Sequence, residues 1–197
     1  ILIVDDNSDD PETLNYYQCI KNEKNISCDI LETEFDEFNF SKMINYGVNC
    51  ARNEFVLILN NDITAISEGW LEQMMGWFEL RKVAIVGPKL LFPNNKIQHA
   101  GVMVGPHFGL ADHYFYNLKK NSISYLNLLN LQRNVSAVTG ACFLTKKSIF
   151  KKVGGMDDRL FKVSYSDIDF CLRIKEKKFN IIYDNTIELY HLTSASR

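Results

Sequence analysis

Three places in this 197-residue chain gather side chains able to do chemistry. The run Phe55-Val-Leu-Ile-Leu59 is apolar enough for a buried strand and ends abruptly in Asn60-Asn-Asp62. A buried parallel strand does not hold a free carboxylate in its middle, but its C-terminal end opens into the crevice where such sheets bind ligands, so Asp62 is placed for work. Asp5 and Asp6 follow another apolar run, Ile1-Leu-Ile-Val4, and in a parallel sheet they fall at the same edge. Carboxylates gathered there suit a hard divalent cation or the hydroxyls of a nucleotide, since either offsets the crowding of negative charge. Asp-Asn-Ser is also good turn chemistry, so a solvated loop cap stands as the alternative for Asp5 and Asp6. The third place, Ser166-Asp-Ile-Asp169, opens a predicted helix with Ser166 as its N-cap. The N–H groups and dipole there favour ionised carboxylates at Asp167 and Asp169. Such an acid serves as a general base, caps the helix, or, for Asp169, pairs with Arg173 one turn on.

The elements that must hold these residues alternate along the chain. Residues 1–4 read as a strand, and Asp10-Pro11-Glu12 opens a helix with an N-cap and a proline in its first turn. A strand over 27–33, a helix over 41–52, the strand at 55–59 and a helix over 68–79 follow. This β-α-β-α-β order predicts a parallel, doubly wound sheet. Strands are then expected at 83–86, 89–92 and 97–104, the last two joined by the turn Pro93-Asn-Asn-Lys96. Residues 105–121, rich in aromatics and holding His107 and His113, read as a loop over a surface or cleft, with Phe108 to Tyr116 as an acceptor lid or a plug of the sheet end. Beyond it come a short helix near Leu126, a strand over 135–145 and a helix over 146–153, then a helix over 166–177 and strands at 181–182 and 187–190.

With 46% hydrophobic residues and a net charge of −2, the chain has the make-up of one globular domain or a large part of one. The balanced charge gives no electrostatic footprint for nucleic acid. Five widely spaced cysteines without a Cys-x-x-Cys pair indicate neither a disulfide framework nor a zinc site, and fit a reducing cytoplasm. No apolar run approaches the ~20 residues of a membrane span, and no signal peptide is visible. The chain opens on Ile1, already inside a strand, and stops at Ser196-Arg197 without a cap, which reads as a piece of something longer.

Ile1-Leu-Ile-Val-Asp-Asp-Asn7 resembles a bacterial response-regulator receiver, which would make Asp62 a phospho-acceptor. Receivers need a later Lys-Pro pair, whereas Gly87-Pro88-Lys89 reverses that order, and the chain beyond about residue 120 stays unexplained. A second resemblance covers essentially the whole chain. Val4-Asp-Asp-Asn-Ser8, Phe38-Asn-Phe-Ser-Lys-Met-Ile-Asn45 and Leu59-Asn-Asn-Asp62 resemble the nucleotide-sugar half of family 2 glycosyltransferases. In order downstream come Ile97-Gln-His-Ala-Gly101, Arg133 to Cys142, Gly154-Gly-Met-Asp157, Tyr165 to Arg173 and Tyr190 to Arg197, similar to bacterial enzymes of O-antigen and related cell-surface polysaccharide synthesis.

That resemblance implies a GT-A fold of α/β class, a Rossmann-like mostly parallel central sheet with a smaller antiparallel sheet on the acceptor side. It implies one catalytic domain over 1–197, truncated at its N-terminus, with a nucleotide-binding half at 1–87 and an acceptor and catalytic half at 88–197. The implied reaction is inverting transfer from a nucleoside-diphosphate sugar to a saccharide or lipid-linked saccharide, on the cytoplasmic side, with peripheral membrane association through the acceptor. A catalytically inactive relative that binds nucleotide or glycan is the alternative. Asp62 and His191 would hold a divalent cation, manganese or magnesium. Asp5, Asp6, Asn39, Asn45 and Asn61 would face the nucleotide, and Thr139-Gly140-Ala141 would line the donor sugar, where a glycine permits close backbone approach. Asp167 would be the base; Ser166 stands where relatives often carry Glu, and with Asp169 is either an acceptor contact or a helix cap. Leu192 and Thr193 depart from the His-Glu pair frequent after the first histidine. His99 reads as structural.

Overall fold

The computed structural model describes residues 1–105 and 110–192. Strand β1 (Leu2–Asp6) leads to α1 (Pro11–Lys21), where Asp10 caps the helix by accepting the Thr13 N–H at 2.8 Å and Pro11 fills a position that needs no donor. Strand β2 (Asp29–Thr33) returns parallel to β1. Then come α2 (Phe40–Cys50), β3 (Phe55–Leu59), β4 (Ile63–Ala65) and α3 (Trp70–Gly76), the last running into a 3₁₀ turn, Trp77–Glu79. The second half holds β5 (Val83–Leu91), β6 (Ile97–His99), β7 (Val102–Val104), β8 (Ala111–His113), β9 (Arg133–Asn134) and β10 (Cys142–Lys146). It closes with α4 (Lys147–Lys152), α5 (Ser166–Glu176) and β11 (Asn180–His191).

The main sheet runs β3-β10-β5-β11-β4, with β6 added to β5 and β9 to β11. Strands β3, β5 and β11 point one way, because β10 is antiparallel to both β3 and β5 while β5 and β11 are parallel. Neighbouring side chains enter opposite faces, as strand geometry requires. Ile85, Phe143 and Tyr183 pack with Phe150 of α4 and Phe170 and Ile174 of α5. Val86, Leu144 and Ile182 pack with Met74 of α3. Helices therefore cover both faces of the sheet, which is why β5 is buried at every position. Among the described residues no helix is long and apolar enough to cross a membrane.

Several expectations are corrected by pairing. β1 and β2 form a sheet of their own, since β3 takes β10 as its partner, so Asp5 and Asp6 do not share a sheet with Asp62. The strands expected at 83–86 and 89–92 are one, and so are those at 181–182 and 187–190. Pro88, without an N–H, lies opposite Asp184, where the β5–β11 register shifts before resuming at Lys89 and Glu188. The single strand expected at 97–104 is two, broken at Gly101 with φ +88°. β7 pairs instead with β8, inside the expected loop. Of the strand expected at 135–145, only residues 142–146 are regular, and the stretch before them is irregular backbone.

Candidate active site

Asp62 sits in the turn between β3 and β4, and the sheet register brings it to His191. Ile63 of β4 pairs with His191 of β11, and the Leu192 N–H donates to the Asp62 carbonyl at 2.9 Å. Asp62 Oδ1 lies 3.0 Å from His191 Nε2, and it is buried and accepts no hydrogen bond. The close approach is therefore not an aligned hydrogen bond. His191 Nδ1 lies 2.8 Å from Gln98 Oε1, so the ring donates from Nδ1 to the amide oxygen. In the neutral ring Nε2 then carries a lone pair, and it faces an orphaned carboxylate oxygen.

With the ring neutral, these two lone pairs are arranged as a pair of ligands for one cation. The spacing fits two adjacent ligands of one octahedral ion with bonds of about 2.1 Å. An amide oxygen taking the second N–H is the usual outer support of a metal-bound imidazole. Among the described residues no third His, Cys, Asp or Glu joins the pair, so of the two partners open to the strand-end acids, a cation or nucleotide hydroxyls, a cation is not one that Asp5, Asp6 and Asp62 share. The pair fits a cation whose remaining ligands come from elsewhere, such as phosphate oxygens.

Asp5 is turned to its own loop. It accepts from the Ser8 N–H (3.1 Å), the Ser8 hydroxyl (2.5 Å) and the Tyr17 hydroxyl (2.7 Å). Burial pushes its carboxyl up, but these hydrogen bonds outweigh that and leave it below the usual range. Among the described residues Asp6 receives only the Thr33 hydroxyl, at 3.1 Å. Asn61 is exposed in the turn beside Asp62. Asn39 is buried: it caps α2 through the Lys42 N–H (2.9 Å) and donates to the Asp158 carbonyl (2.9 Å). Asn45 likewise ties α2 to Met156 and Asp158. The side chains of both asparagines are thus spent on holding the 156–158 turn rather than turned to a nucleotide.

The second cluster is organised by residues 139–141. The Gly140 N–H donates to Asp167 Oδ2 at 2.7 Å, and the Ala141 carbonyl accepts the Asn60 N–H at 2.9 Å, so one short segment touches both the candidate base and the Asp62 turn. Gly140 gives the first contact room: a Cβ there would stand 3.3 Å from Phe40 Cε1 and 3.4 Å from Asp167 Cβ, a tight fit. The expected close approach of Gly140 backbone is therefore to a side chain of the protein itself. Asp167 Oδ1 also accepts the Ile168 N–H at 2.8 Å. Burial, the largest effect, raises the Asp167 pKa above the ordinary value, and the N–H groups of Gly140 and Ile168 only partly oppose it. The N–H groups at the helix end favour the ionised form as read, and desolvation, acting against them, makes the carboxylate more basic.

Ser166 is not the N-cap. Tyr165, in the left-handed region at φ +62°, holds that position without a side-chain cap bond, and the buried Ser166 hydroxyl donates to the Val163 carbonyl at 3.1 Å. Asp169 pairs with Arg173 at 2.6 Å and is a helix-surface ion pair. Asp167 opens on a cleft of about 360 Å³ whose lining includes Val102, Asp112, His113, Val163 and Tyr165. Gln98 escaped the sequence reading; its only signal was alternation in β6, which sends Gln98 towards His191 and His99 to the opposite face. His99 is fully buried, in keeping with its structural reading, and touches His113 of the segment expected as a lid or plug. His107, Phe108 and Thr193 lie outside the described residues, and with them part of the expected lid.

The doubly covered sheet, with Asp62 and His191 brought together at its strand ends, defines an α/β protein. The sequence matches the model of Glycosyl transferase family 2 over residues 1–154, and the chain belongs to that family. The receiver resemblance is thereby set aside. The chain is 34% identical over 197 residues to the uncharacterized protein y4gI of Sinorhizobium fredii, and 33% identical over 199 residues to the O-antigen biosynthesis protein RfbC of Myxococcus xanthus. All of the chain is matched in each case, but it spans only 21% and 15% of those proteins. GalNAc-T7, solved with UDP, GalNAc and Mn2+, has the same fold with TM-score 0.75 at 12% identity, over 100% of this chain and 38% of its own. The mannosyltransferase PcManGT of Pyrobaculum calidifontis, solved with GDP-Man and Mn2+, gives 0.67 at 14%, over 99% and 48%. The fold is GT-A.

Proposed function

We propose that this chain is the catalytic domain of an inverting, metal-dependent transferase that moves a sugar from a nucleoside-diphosphate donor to a saccharide or lipid-linked saccharide. The observation that carries this reading is Asp167, a carboxylate of raised proton affinity held at the mouth of a cleft by the Gly140 N–H. Glycosyl transfer needs a base for the attacking hydroxyl, and a base gains strength as its pKa rises towards working pH. With the acceptor hydroxyl against Asp167, its proton passes to the carboxylate as the oxygen attacks the anomeric carbon from the side opposite the diphosphate. One displacement inverts that carbon. The other acid of the cleft, Asp112, accepts the N–H of neighbouring His113 at 2.7 Å.

Asp62 and His191 would hold a divalent cation, with Gln98 fixing the imidazole. When bound, the ion supplies Lewis-acid stabilisation of the departing diphosphate. Asp6 and Asn61 keep side chains available for the nucleotide, and Asp5 shapes the loop that presents them; residues 1–87 form the donor half and 88–197 the acceptor half. Support for a nucleotide-sugar donor and manganese comes from the two solved relatives, and for cell-surface polysaccharide from the O-antigen relative. Such an acceptor would set the domain at the cytoplasmic face of the membrane.

The test is turnover of UDP- and GDP-sugars with Mn2+ by the full-length protein and its Asp167→Asn variant. The variant is expected to bind nucleotide normally while transfer falls about 10²- to 10⁴-fold, the usual loss of a general base. The anomeric signal of the product should be inverted. Nucleotide binding without any Asp167-dependent turnover would mean a binding domain rather than an enzyme.

A further inference from the structure

Two histidines beside Asp167 form a device that the transfer described above does not use. His99, fully buried, receives the N–H groups of Gly101 (3.3 Å) and Thr139 (3.4 Å) on Nε2. A nitrogen that accepts hydrogen bonds carries a lone pair, so the proton of neutral His99 sits on Nδ1. That nitrogen is 2.9 Å from His113 Nδ1, with the rings edge to face, so His99 donates and His113 accepts there. The neutral His113 ring then carries its own proton on Nε2. Among the described residues nothing pairs with Nε2, and His113 lines the cleft onto which Asp167 opens.

We propose that His113 is a substrate-contacting residue whose Nε2–H, fixed in place and in tautomer by His99, donates a hydrogen bond to a hydroxyl of the acceptor saccharide. This rests on the transferase reading of the site. A hydroxyl both donates and accepts, so a sugar hydroxyl can take the His113 proton while another is turned to Asp167. The apolar Val102 and Val163 and the Tyr165 ring beside these polar groups suit a sugar, which is amphipathic in the same way. The lock also serves the base. An imidazolium at this place would stand against Asp167 and weaken its hold on a proton, whereas a second proton on His113 Nδ1 would confront the His99 Nδ1–H. Burial presses both imidazoles towards the neutral form as well. His99 is accordingly a positioning residue that acts through His113.

The tautomers can be read by long-range ¹H–¹⁵N correlation spectra of the full-length protein labelled in histidine, first alone and then with octyl glucoside and octyl mannoside as acceptor probes. The expected result is His99 protonated on Nδ1, His113 on Nε2, and a shift of the His113 Nε2 resonance with at least one probe. His113→Phe should raise the acceptor KM about five- to tenfold, the loss of one hydrogen bond, and raise it more than the donor KM. His113→Gln, whose amide N–H reaches the Nε2 position, should restore most of that loss. A proton on His113 Nδ1, an Nε2 resonance unmoved by either probe, or an unchanged acceptor KM in His113→Phe overturns the assignment. The expected tautomers in a protein with no Asp167-dependent turnover would instead overturn the transferase reading, and the acceptor contact with it.

Discussion

His191 shows how much of a site is decided by the atom behind the one that acts. Its Nε2 can face Asp62 as a lone pair only because Gln98 takes the Nδ1 proton, and the Asp62 oxygen opposite has no other partner. A cation resolves both shortfalls at once. Substituting Gln98 by Leu leaves Asp62 and His191 in place but frees the ring to turn and to change tautomer. Manganese affinity, followed by the paramagnetic resonance of free Mn2+ in the presence of nucleoside diphosphate, is expected to weaken about 10- to 100-fold, as for other outer partners of metal-bound imidazole. Asp62→Asn should reduce binding further. Wild-type affinity in Gln98→Leu would show that the imidazole is not a ligand. Asp62 could be found in the sequence by its place at a strand end and His191 by the family resemblance, but Gln98 could not, because a glutamine in a three-residue strand carries no pattern of its own.

At the level of elements, the long periodic pieces were legible: α1, α2, β1, β3 and α5 fall within a few residues of their expected places, and Asp10 caps α1 as read. The short ones were not. β4, β8 and β9 have two or three residues each, too few for alternation to show, and exist because a partner strand pairs with them, the long β11 for β4 and β9 and the equally short β7 for β8. The break at Gly101 was hidden inside a continuous apolar run. Its φ of +88° suits glycine, and a Cβ there would stand 2.8 Å from Val135 Cγ1. This glycine separates β6, which carries Gln98 and His99, from β7, which borders the Asp167 cleft, and its N–H reaches His99. Gly101→Ala is therefore expected to cost about 1–3 kcal/mol through backbone strain alone. Urea unfolding should show a lower midpoint with an unchanged slope, and an unaltered midpoint would mean that the turn relaxes without penalty.

The whole molecule is held together along β11, which pairs with β5, β4 and β9 and ends in His191. At its centre, where the β5–β11 ladder shifts register opposite Pro88, Asp184 is fully buried. It accepts from Trp77 Nε1 (2.7 Å), Gln132 Nε2 (3.0 Å), and the Thr186 N–H (3.0 Å) and hydroxyl (2.6 Å). Three separate parts of the chain thus meet on one carboxylate. Burial works to raise its pKa, but the hydrogen bonds from Thr186, Trp77 and Gln132 together outweigh burial and hold it below the ordinary value. A carboxyl whose folded pKa is depressed stabilises the fold fully above its unfolded pKa of about 4, and that contribution fades as pH falls through the folded value. Asp184→Asn replaces an oxygen by an NH2 facing donors, and is expected to cost about 2 kcal/mol at pH 7. As pH falls from about 5 to 3, wild type should lose stability faster than the variant and the gap between their thermal midpoints should narrow. Asp5 and Glu188, also depressed, contribute to the acid loss of both proteins, so the narrowing gap isolates Asp184. A gap of the same size at pH 7 and pH 3 would mean that the ionised form adds nothing to this junction beyond its shape.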